Sequence, residues 1–361
     1  MTAASLRSTT MLVSAAAAVI VLAGAKAAAD IVGPVMLALA LIILLHPLRY
    51  RLERRAPSWV ASVTVLVTAV VLLLSLALAV GVALGQLARL IPTYAADFDE
   101  LGANLESALA SLGVGPEQTE AMAAGVDPSR VTEWVTSALS GVMSLISSLF
   151  FMVTLLVFFA FDAAKVGGLA KGAQAHRPRL VEALDSFARG TRSYFGVSAV
   201  FGLIVAVIDS ALLWVLGVPG AFIWGVLAFV TNFIPNIGFV IGIIPPAIIG
   251  LLEGGPSLML TVIVLYSAVN LIIQSFIQPR YVGDAVGLST SLTFLSLVFW
   301  TWILGPLGAL LAVPMSLLAR ALLVEADASG RWRLPLISGA PEETARPPIL
   351  RAPAEGAADP T

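Results

Sequence analysis

The sequence predicts an all-α polytopic membrane protein with about eight membrane-embedded segments, including two broken helices or re-entrant helical hairpins. Of the 361 residues, 59% are hydrophobic and only 12% are charged, which is more apolar surface than a water-soluble fold can bury. Several apolar stretches are long enough to cross a bilayer, and two further stretches carry Pro and Gly at their centres. The chain contains no cysteine, which excludes disulfides and thiolate chemistry.

Residues 1–58 predict a transmembrane hairpin followed by a basic cytoplasmic loop. Two apolar segments, 9–25 and 31–45, are separated by only a few residues, and a cleaved signal peptide is the alternative for the first. The loop contains four arginines against a single glutamate, a bias typical of cytoplasmic loops: Arg49, Arg51, Arg54 and Arg55.

The next section, residues 59–161, predicts two long helices joined by an acidic extracytoplasmic segment at about 92–133. Eight acidic residues face one basic residue there, and apolar residues recur at helical spacing, which predicts an amphipathic helix. Residues 162–193 carry a basic excess and an apolar stripe, so they predict a cytoplasmic amphipathic segment lying on the membrane or on a neighbouring helix. Residues 325–361 predict a disordered cytoplasmic tail.

The predicted transport core, residues 194–324, contains both broken stretches. In the first, 218–252, a helix that begins at Ala221 should break near Pro235 and resume about Ile237, because proline removes a backbone donor and clashes with the preceding turn. The second, 288–323, is interrupted at 304–308, and each restarted helix carries a further proline, Pro245 or Pro314. This similarity indicates an internal repeat.

Counting the spans from a cytoplasmic N-terminus places the two broken stretches on opposite faces of the membrane. The span 258–277 would return the chain to the cytoplasm, so Arg280 would lie inside. Broken helices that enter from opposite faces are typical of secondary transporters, whose substrates bind near the midplane. The alternative is eight ordinary spans with proline kinks, which would place Arg280 outside.

Polar side chains inside the apolar stretches are the candidate functional residues. Asp209 is the one acidic residue well inside a span, which suggests a proton or cation relay, although a structural hydrogen bond would also explain it. Asn270 and Gln274 are four residues apart and share a helical face. With Asn232 and Asn236 they would suit a neutral polar solute or a coordinated cation, and hydrogen bonding between helices is the alternative.

Motifs of other function classes are absent from the sequence. There is no nucleotide-binding Gly-Lys-Ser/Thr loop, no zinc-protease motif and no Gly-x-Ser-x-Gly element, and the two histidines have no metal-ligand partners at useful spacing. We therefore expect no catalytic residues, no metal, no cofactor and no nucleic-acid partner.

Several ordered motifs resemble the AI-2E family of bacterial membrane transporters, over about residues 10–325. They are Gly217-Val218-Pro219, Ala228-Phe229, Asn232-Phe233-Ile234-Pro235 with Gly238, Gly242 and Pro245, Gln278-Pro279-Arg280 with Gly283, and the run from Trp300 through Gly305-Pro306-Leu307-Gly308 to Pro314. The resemblance implies a multi-pass protein of the bacterial cytoplasmic (inner) membrane, a homo-oligomer, and a small polar solute such as autoinducer-2 or a monovalent cation as partner.

These observations together predict a secondary transporter that exports a small polar solute by alternating access, with both termini in the cytoplasm. A Na⁺(Li⁺)/H⁺ antiporter that titrates Asp209 and a non-transporting membrane scaffold are the alternatives. The predicted substrate-binding residues are Asn232, Pro235, Asn236, Gly238, Asn270, Gln274, Gly305, Pro306 and Gly308, and Asp209 is the predicted coupling residue.

Overall fold

The computed structural model describes residues 19–94, 149–235, 237–278 and 288–327, together with isolated positions between 13 and 17 and between 96 and 140. Within these residues the regular structure is helical, and there is no β-strand. Six helices in this part are long and apolar enough to cross a membrane. The all-α polytopic fold is therefore confirmed. Asn236, Arg280, most of the acidic segment at 92–133 and the tail beyond residue 327 lie outside the described residues.

The first three long helices pack side by side through small side chains. They are α1 (Ala29–Glu53), α2 (Ser58–Leu90, followed by a 3-10 turn over Ile91–Tyr94) and α3 (Leu149–Gln174). Ala38, Ala69 and Ala160, one from each helix, are completely buried in one apolar cluster. Residues 19–27 are also helical and precede α1. Part of the first predicted span, including residues 9–12, lies outside the described residues, so the N-terminal hairpin stays a prediction.

The environment of Arg49 differs from the solvated basic loop that the sequence predicts. It lies within α1, is only 3% exposed, donates a hydrogen bond to the carbonyl oxygen of Ala160, and pairs with Glu53 at 2.9 Å. Ser62 on α2 donates to the same carbonyl at 3.1 Å. A buried charge requires such partners, so Arg49 joins the three helices instead of contributing to a solvated loop.

The longest helix, α4 (Pro178–Val215), spans 38 residues and is therefore about 57 Å long. It begins with a proline in its first turn, where the missing backbone donor costs nothing. The predicted boundary between residues 193 and 194 falls inside α4, and α3 continues to Gln174. The predicted amphipathic segment is thus the end of one long helix and the beginning of the next.

The first broken stretch folds as a helical hairpin. Helix α5 (Ala221–Thr231) ends before Pro235, and α6 (Gly238–Leu271) begins one residue after the predicted restart. The predicted break is confirmed, although α5 has 11 residues where the sequence suggested about 14. A Cβ atom at Gly238 would lie 1.9 Å from the Thr231 carbonyl oxygen, so the two helix ends are in direct contact.

Helix α6 reverses direction at Gly254 and Gly255, whose backbone angles are not helical. A Cβ atom at Gly250 would lie 3.4 Å from Val262 Cγ2, whereas twelve residues of straight helix would separate these positions by about 18 Å. Residues 238–253 and 256–271 are therefore two antiparallel arms. We call residues 221–253 hairpin 1 and residues 256–271 the second arm of α6.

The second broken stretch is also a helical hairpin, which we call hairpin 2 (residues 290–320). It consists of α7 (Thr290–Leu304) and α8 (Pro306–Arg320), joined at Gly305 and continued by a π-helical turn over Ala321–Glu325. Gly305 has a φ of 64°, a left-handed conformation that glycine tolerates and most residues do not. The predicted second break is confirmed at Gly305 and Pro306.

The two hairpins pack against opposite ends of α4. Ile223 and Trp224, at the open end of hairpin 1, share a buried cluster with Leu213 near the C-terminus of α4. The open end of hairpin 2 instead packs near the N-terminus of α4, in a cluster that contains Phe187 and Leu317. The turns of both hairpins point from these ends toward the middle of α4.

Candidate functional site

The turn of hairpin 1 is fixed to the middle of α4 by hydrogen bonds. Asn232 Nδ2 donates to the Ser198 carbonyl oxygen at 2.9 Å, and the Tyr194 hydroxyl donates to the Phe233 carbonyl oxygen at 2.6 Å. A Cβ atom at Gly202 would lie 2.9 Å from Asn232 Nδ2, so the asparagine fits because residue 202 is glycine. These bonds use polar groups that the broken backbone would otherwise leave unpaired.

The turn of hairpin 2 repeats the backbone arrangement of hairpin 1. Gly305 ends α7, Pro306 occupies the first turn of α8, and a Cβ atom at Gly308 would lie 1.9 Å from the Trp300 carbonyl oxygen. Gly238 makes the same contact with Thr231 at the same separation. Both hairpins therefore place a glycine from the start of the second helix against a carbonyl group from the end of the first, which supports the predicted internal repeat.

Polar side chains in hairpin 2 bond mainly to other parts of the same hairpin. Trp300 Nε1 donates to Ser316 Oγ at 2.9 Å, and Ser296 Oγ donates to the Ala312 carbonyl oxygen at 2.9 Å. The Ser296 and Ser316 hydroxyls also contact each other. The sequence had given no role to either serine.

The two turns meet in one buried apolar cluster beside α4. Phe233 from hairpin 1, Ile303 and Leu304 from hairpin 2, and Phe195 from α4 are each less than 10% exposed in this cluster. The Phe195 and Phe233 rings are 6.1 Å apart between centroids. Gly33 on α1 borders hairpin 2, because a Cβ atom there would lie 3.1 Å from Leu307 Cδ1. The turns of the two hairpins therefore lie next to each other beside α4.

Asp209 lies nearer the C-terminus of α4, in a polar cluster with the second arm of α6. Asp209 is fully buried, and its Oδ2 accepts a hydrogen bond from Asn270 Nδ2 at 3.2 Å. The same Nδ2 donates to the Tyr266 carbonyl oxygen at 3.0 Å, and Gln274 Nε2 donates to Asn270 Oδ1 at 3.0 Å. Among the described residues, Asp209 Oδ1 has no partner that meets hydrogen-bond geometry. A buried carboxyl group with one unpaired oxygen can take up a proton or another ligand.

The predicted site residues form two groups in the structure. Asp209, Asn270 and Gln274 are brought together as a chain of hydrogen bonds. Asn232, Pro235 and Gly238 lie at the turn of hairpin 1, and Gly305, Pro306 and Gly308 lie at the turn of hairpin 2. The first group lies next to the turn of hairpin 1, because Tyr266 contacts both Asp209 and Gly242.

Several residues of these clusters were missed from the sequence. Tyr266 is four residues before Asn270 on the same helical face, and this spacing could have identified it. Ser198 and Gly202 carried no such signal, because their importance depends on which face of α4 meets Asn232. Ser296 and Ser316 likewise become partners only when α7 and α8 fold together.

Comparison with known proteins agrees with this architecture. Residues 15–326 match the family model described as AI-2E family transporter. The chain is 32% identical over 321 residues to the AI-2 transport protein TqsA of Escherichia coli (strain K12), covering 89% of this chain and 93% of that protein. It is 31% identical over 311 residues to the putative transport protein YhhT of the same organism, covering 85% and 88%. A putative transport protein of Haemophilus influenzae is 29% identical over 312 residues, covering 85% and 90%. The resemblance seen in the motifs is thereby confirmed, and this multi-pass membrane protein belongs to the AI-2E family of transporters.

Proposed function

We propose that this protein is a secondary transporter of the bacterial cytoplasmic membrane that exports a small polar solute, similar to autoinducer-2, by alternating access. The observation that carries the proposal is the pair of hairpins that extend from opposite ends of α4 and meet at its middle. In a membrane, each hairpin would be re-entrant and would close the pathway from one face. The TqsA relative, an AI-2 transport protein, supports a solute of this class.

The solute-binding groups in this proposal are the helix ends at the two turns. Helices α5 and α7 end at the turns, and α6 and α8 begin there, so negative and positive ends of helix dipoles would face the midplane together. Asn232 remains able to accept a hydrogen bond, because only its Nδ2 has a partner among the described residues. Small solutes rich in hydroxyl and carbonyl groups match this set of donors and acceptors.

A reversible cross-link between the turns tests the proposal, because the chain has no cysteine of its own. Phe233→Cys and Leu304→Cys would be combined, the purified protein reconstituted in liposomes, and counterflow of labelled autoinducer-2 measured before and after a reducible bifunctional thiol reagent. We expect the reagent to stop counterflow and a reductant to restore it. Each single-cysteine variant, treated identically, supplies the reference rate.

Three other results would point away from this proposal. Counterflow that continues after cross-linking would exclude a pathway between the turns. Absence of flux for every solute, with the protein correctly folded, would favour a membrane scaffold instead. Labelling of Arg280→Cys from outside the cell would overturn the topology, since the proposed path of the chain requires residue 280 to be in the cytoplasm.

A second candidate, Na⁺(Li⁺)/H⁺ antiport, is favoured by the buried Asp209 carboxyl group and its unpaired Oδ1. A carboxyl group that alternates between proton and cation would couple the two fluxes. We expect Asp209→Asn to abolish cation flux driven by a pH gradient in liposomes, because the amide cannot ionise. Unchanged flux in this variant would remove the candidate, and solute counterflow in the same preparation reports whether the variant is folded.

A further inference from the structure

The Tyr266 hydroxyl lies at a junction of α4, hairpin 1 and the second arm of α6. The Tyr266 side chain is 1% exposed and belongs to a buried cluster with Val205 on α4 and Ile243 on hairpin 1. A Cβ atom at Gly242 would lie 2.7 Å from this hydroxyl and 3.2 Å from Thr231 Oγ1. The Tyr266 hydroxyl therefore occupies a space that exists because residue 242 is glycine, and Thr231 Oγ1 borders the same space.

Asp209 faces the same hydroxyl from the other side. The Tyr266 and Asp209 side chains are near neighbours without a hydrogen bond of ordinary geometry, and Asn270 is the other polar group that faces the carboxyl group. Of these two neighbours only Tyr266 is titratable, and no salt bridge within the described residues reaches Asp209. The Asp209 carboxyl group therefore faces a phenol and an amide.

We propose that Tyr266 is a positioning residue that transmits the ionisation state of Asp209 to the turn of hairpin 1. An ionised carboxylate only accepts hydrogen bonds, so the Tyr266 hydroxyl donates toward α4. A protonated carboxyl group donates one bond itself, and the Tyr266 hydroxyl then turns to another acceptor. Thr231 Oγ1, which borders the same space at Gly242, would accept it after a small movement of the phenol, because its own hydrogen is directed to the Ala228 carbonyl oxygen at 3.3 Å.

The consequence for hairpin 1 follows from the position of Thr231. It is the last residue of α5, and its carbonyl group is the one against which Gly238 packs. A hydrogen bond gained or lost at Thr231 therefore acts on the backbone of the break. This inference rests on the role of Asp209 in the second candidate function, and it adds the route from that carboxyl group to the hairpin.

The test measures the accessibility of the turn and does not need transport. Ile234→Cys would be labelled with a maleimide in lipid nanodiscs at acidic and alkaline pH. Because thiol reactivity itself depends on pH, each rate is divided by that of Ser257→Cys at the exposed end of the second arm of α6. A gained or lost hydrogen bond of ordinary strength should change the normalised rate about fivefold between the two conditions.

We expect Asp209→Asn and Tyr266→Phe each to remove this pH dependence. Phenylalanine keeps the ring and its packing, so the second variant isolates the hydroxyl. If Asp209→Asn removes the dependence and Tyr266→Phe retains it, Tyr266 is not the transmitter and our inference is wrong. If Asp209→Asn retains it, Asp209 is not the group that is sensed, and the second candidate function loses its support as well. A wild-type protein without pH dependence would overturn the inference directly.

Two glycine variants give a matched control. Gly242→Ala should remove the pH dependence, because its Cβ atom would displace the Tyr266 hydroxyl. Gly196→Ala on α4 should retain it, because a Cβ atom there meets no atom within 4 Å. If Tyr266→Phe fails to fold, Thr231→Val removes the acceptor while preserving the side-chain shape, and it should give the same loss. Retention of pH dependence in a folded Thr231→Val protein would contradict the proposed route.

Discussion

Hairpin 1 and hairpin 2 have the same backbone arrangement at their turns but differ in where their polar side chains bond. In both, a glycine packs against a carbonyl oxygen with no space for a Cβ atom. The turn of hairpin 1 then bonds outward to α4, through Asn232 and Tyr194. Trp300 and Ser296 in hairpin 2 bond inward, to Ser316 and the backbone of α8.

This difference indicates that the hairpins have different mechanical roles. Hydrogen bonds to α4 make the turn of hairpin 1 part of the same rigid unit as α4, since moving it would break them. The turn of hairpin 2 meets its surroundings through apolar side chains in the shared cluster, and such contacts are not directional. Alternating access would therefore require less rearrangement if hairpin 2 moved against hairpin 1 and α4.

The largest effect is expected from adding a Cβ atom where a glycine packs against a carbonyl oxygen in each hairpin. Gly238→Ala and Gly308→Ala should each lower the free energy of unfolding by about 3 kcal/mol, because a Cβ atom would overlap a backbone carbonyl oxygen. Thermal unfolding in detergent measures this, with Gly196→Ala as the control that meets no neighbouring atom. Loss of stability in only one variant would show that the two breaks are not equivalent.

A smaller effect is expected from Ser316→Ala, which removes the acceptor of Trp300 Nε1. A partly buried donor left unpaired should lower the free energy of unfolding by about 1.5 kcal/mol. Hydrogen exchange should increase in α7 and α8 and stay unchanged in hairpin 1, and the exposed Ser257→Ala is the control. Faster exchange in both hairpins would contradict the inward bonding of hairpin 2.

Tyr194→Phe should have a still smaller effect, confined to hairpin 1. Loss of one hydrogen bond to the Phe233 carbonyl oxygen should lower the free energy of unfolding by about 1 kcal/mol. The amides around residues 232–237 should exchange faster, while α7 and α8 should not change. If hairpin 2 responds equally, the two turns form one unit and the proposed relative movement is wrong.

The smallest effect is expected from Gly202→Ala, whose Cβ atom would press on the end of the Asn232 side chain. The Asn232 side chain can move away from the new Cβ atom if it gives up its hydrogen bond to Ser198. We therefore expect the free energy of unfolding to decrease by about 0.5–1 kcal/mol. In an Asn232→Ala background the same substitution should cost almost nothing. A double-mutant cycle of the wild type, the two single variants and the double variant measures this coupling. Additive effects on the free energy of unfolding would exclude the contact.

The sequence predicts the breaks well because their causes are local. Pro235, Gly305 and Pro306 restrict the backbone at their own positions, whatever surrounds them. The lengths of α3 and α4 were predicted less well, because hydropathy marks where a helix leaves the bilayer and not where it ends. The partners of Asn232 and Asp209 could not be predicted in full, since the contacts with Ser198 and Tyr266 depend on the relative rotation of packed helices.

The reversal at Gly254 and Gly255 determines how the chain must be threaded through a bilayer. Residues 238–274 have the length and hydropathy of one extended span, but the turn divides them into two antiparallel arms. In the topology that we propose, this reversal lets hairpin 1 return to the face from which it entered, and the second arm of α6 then makes the crossing. Hairpin 2 would then enter the membrane from the opposite face, as an inverted counterpart of hairpin 1 in the topology that we propose.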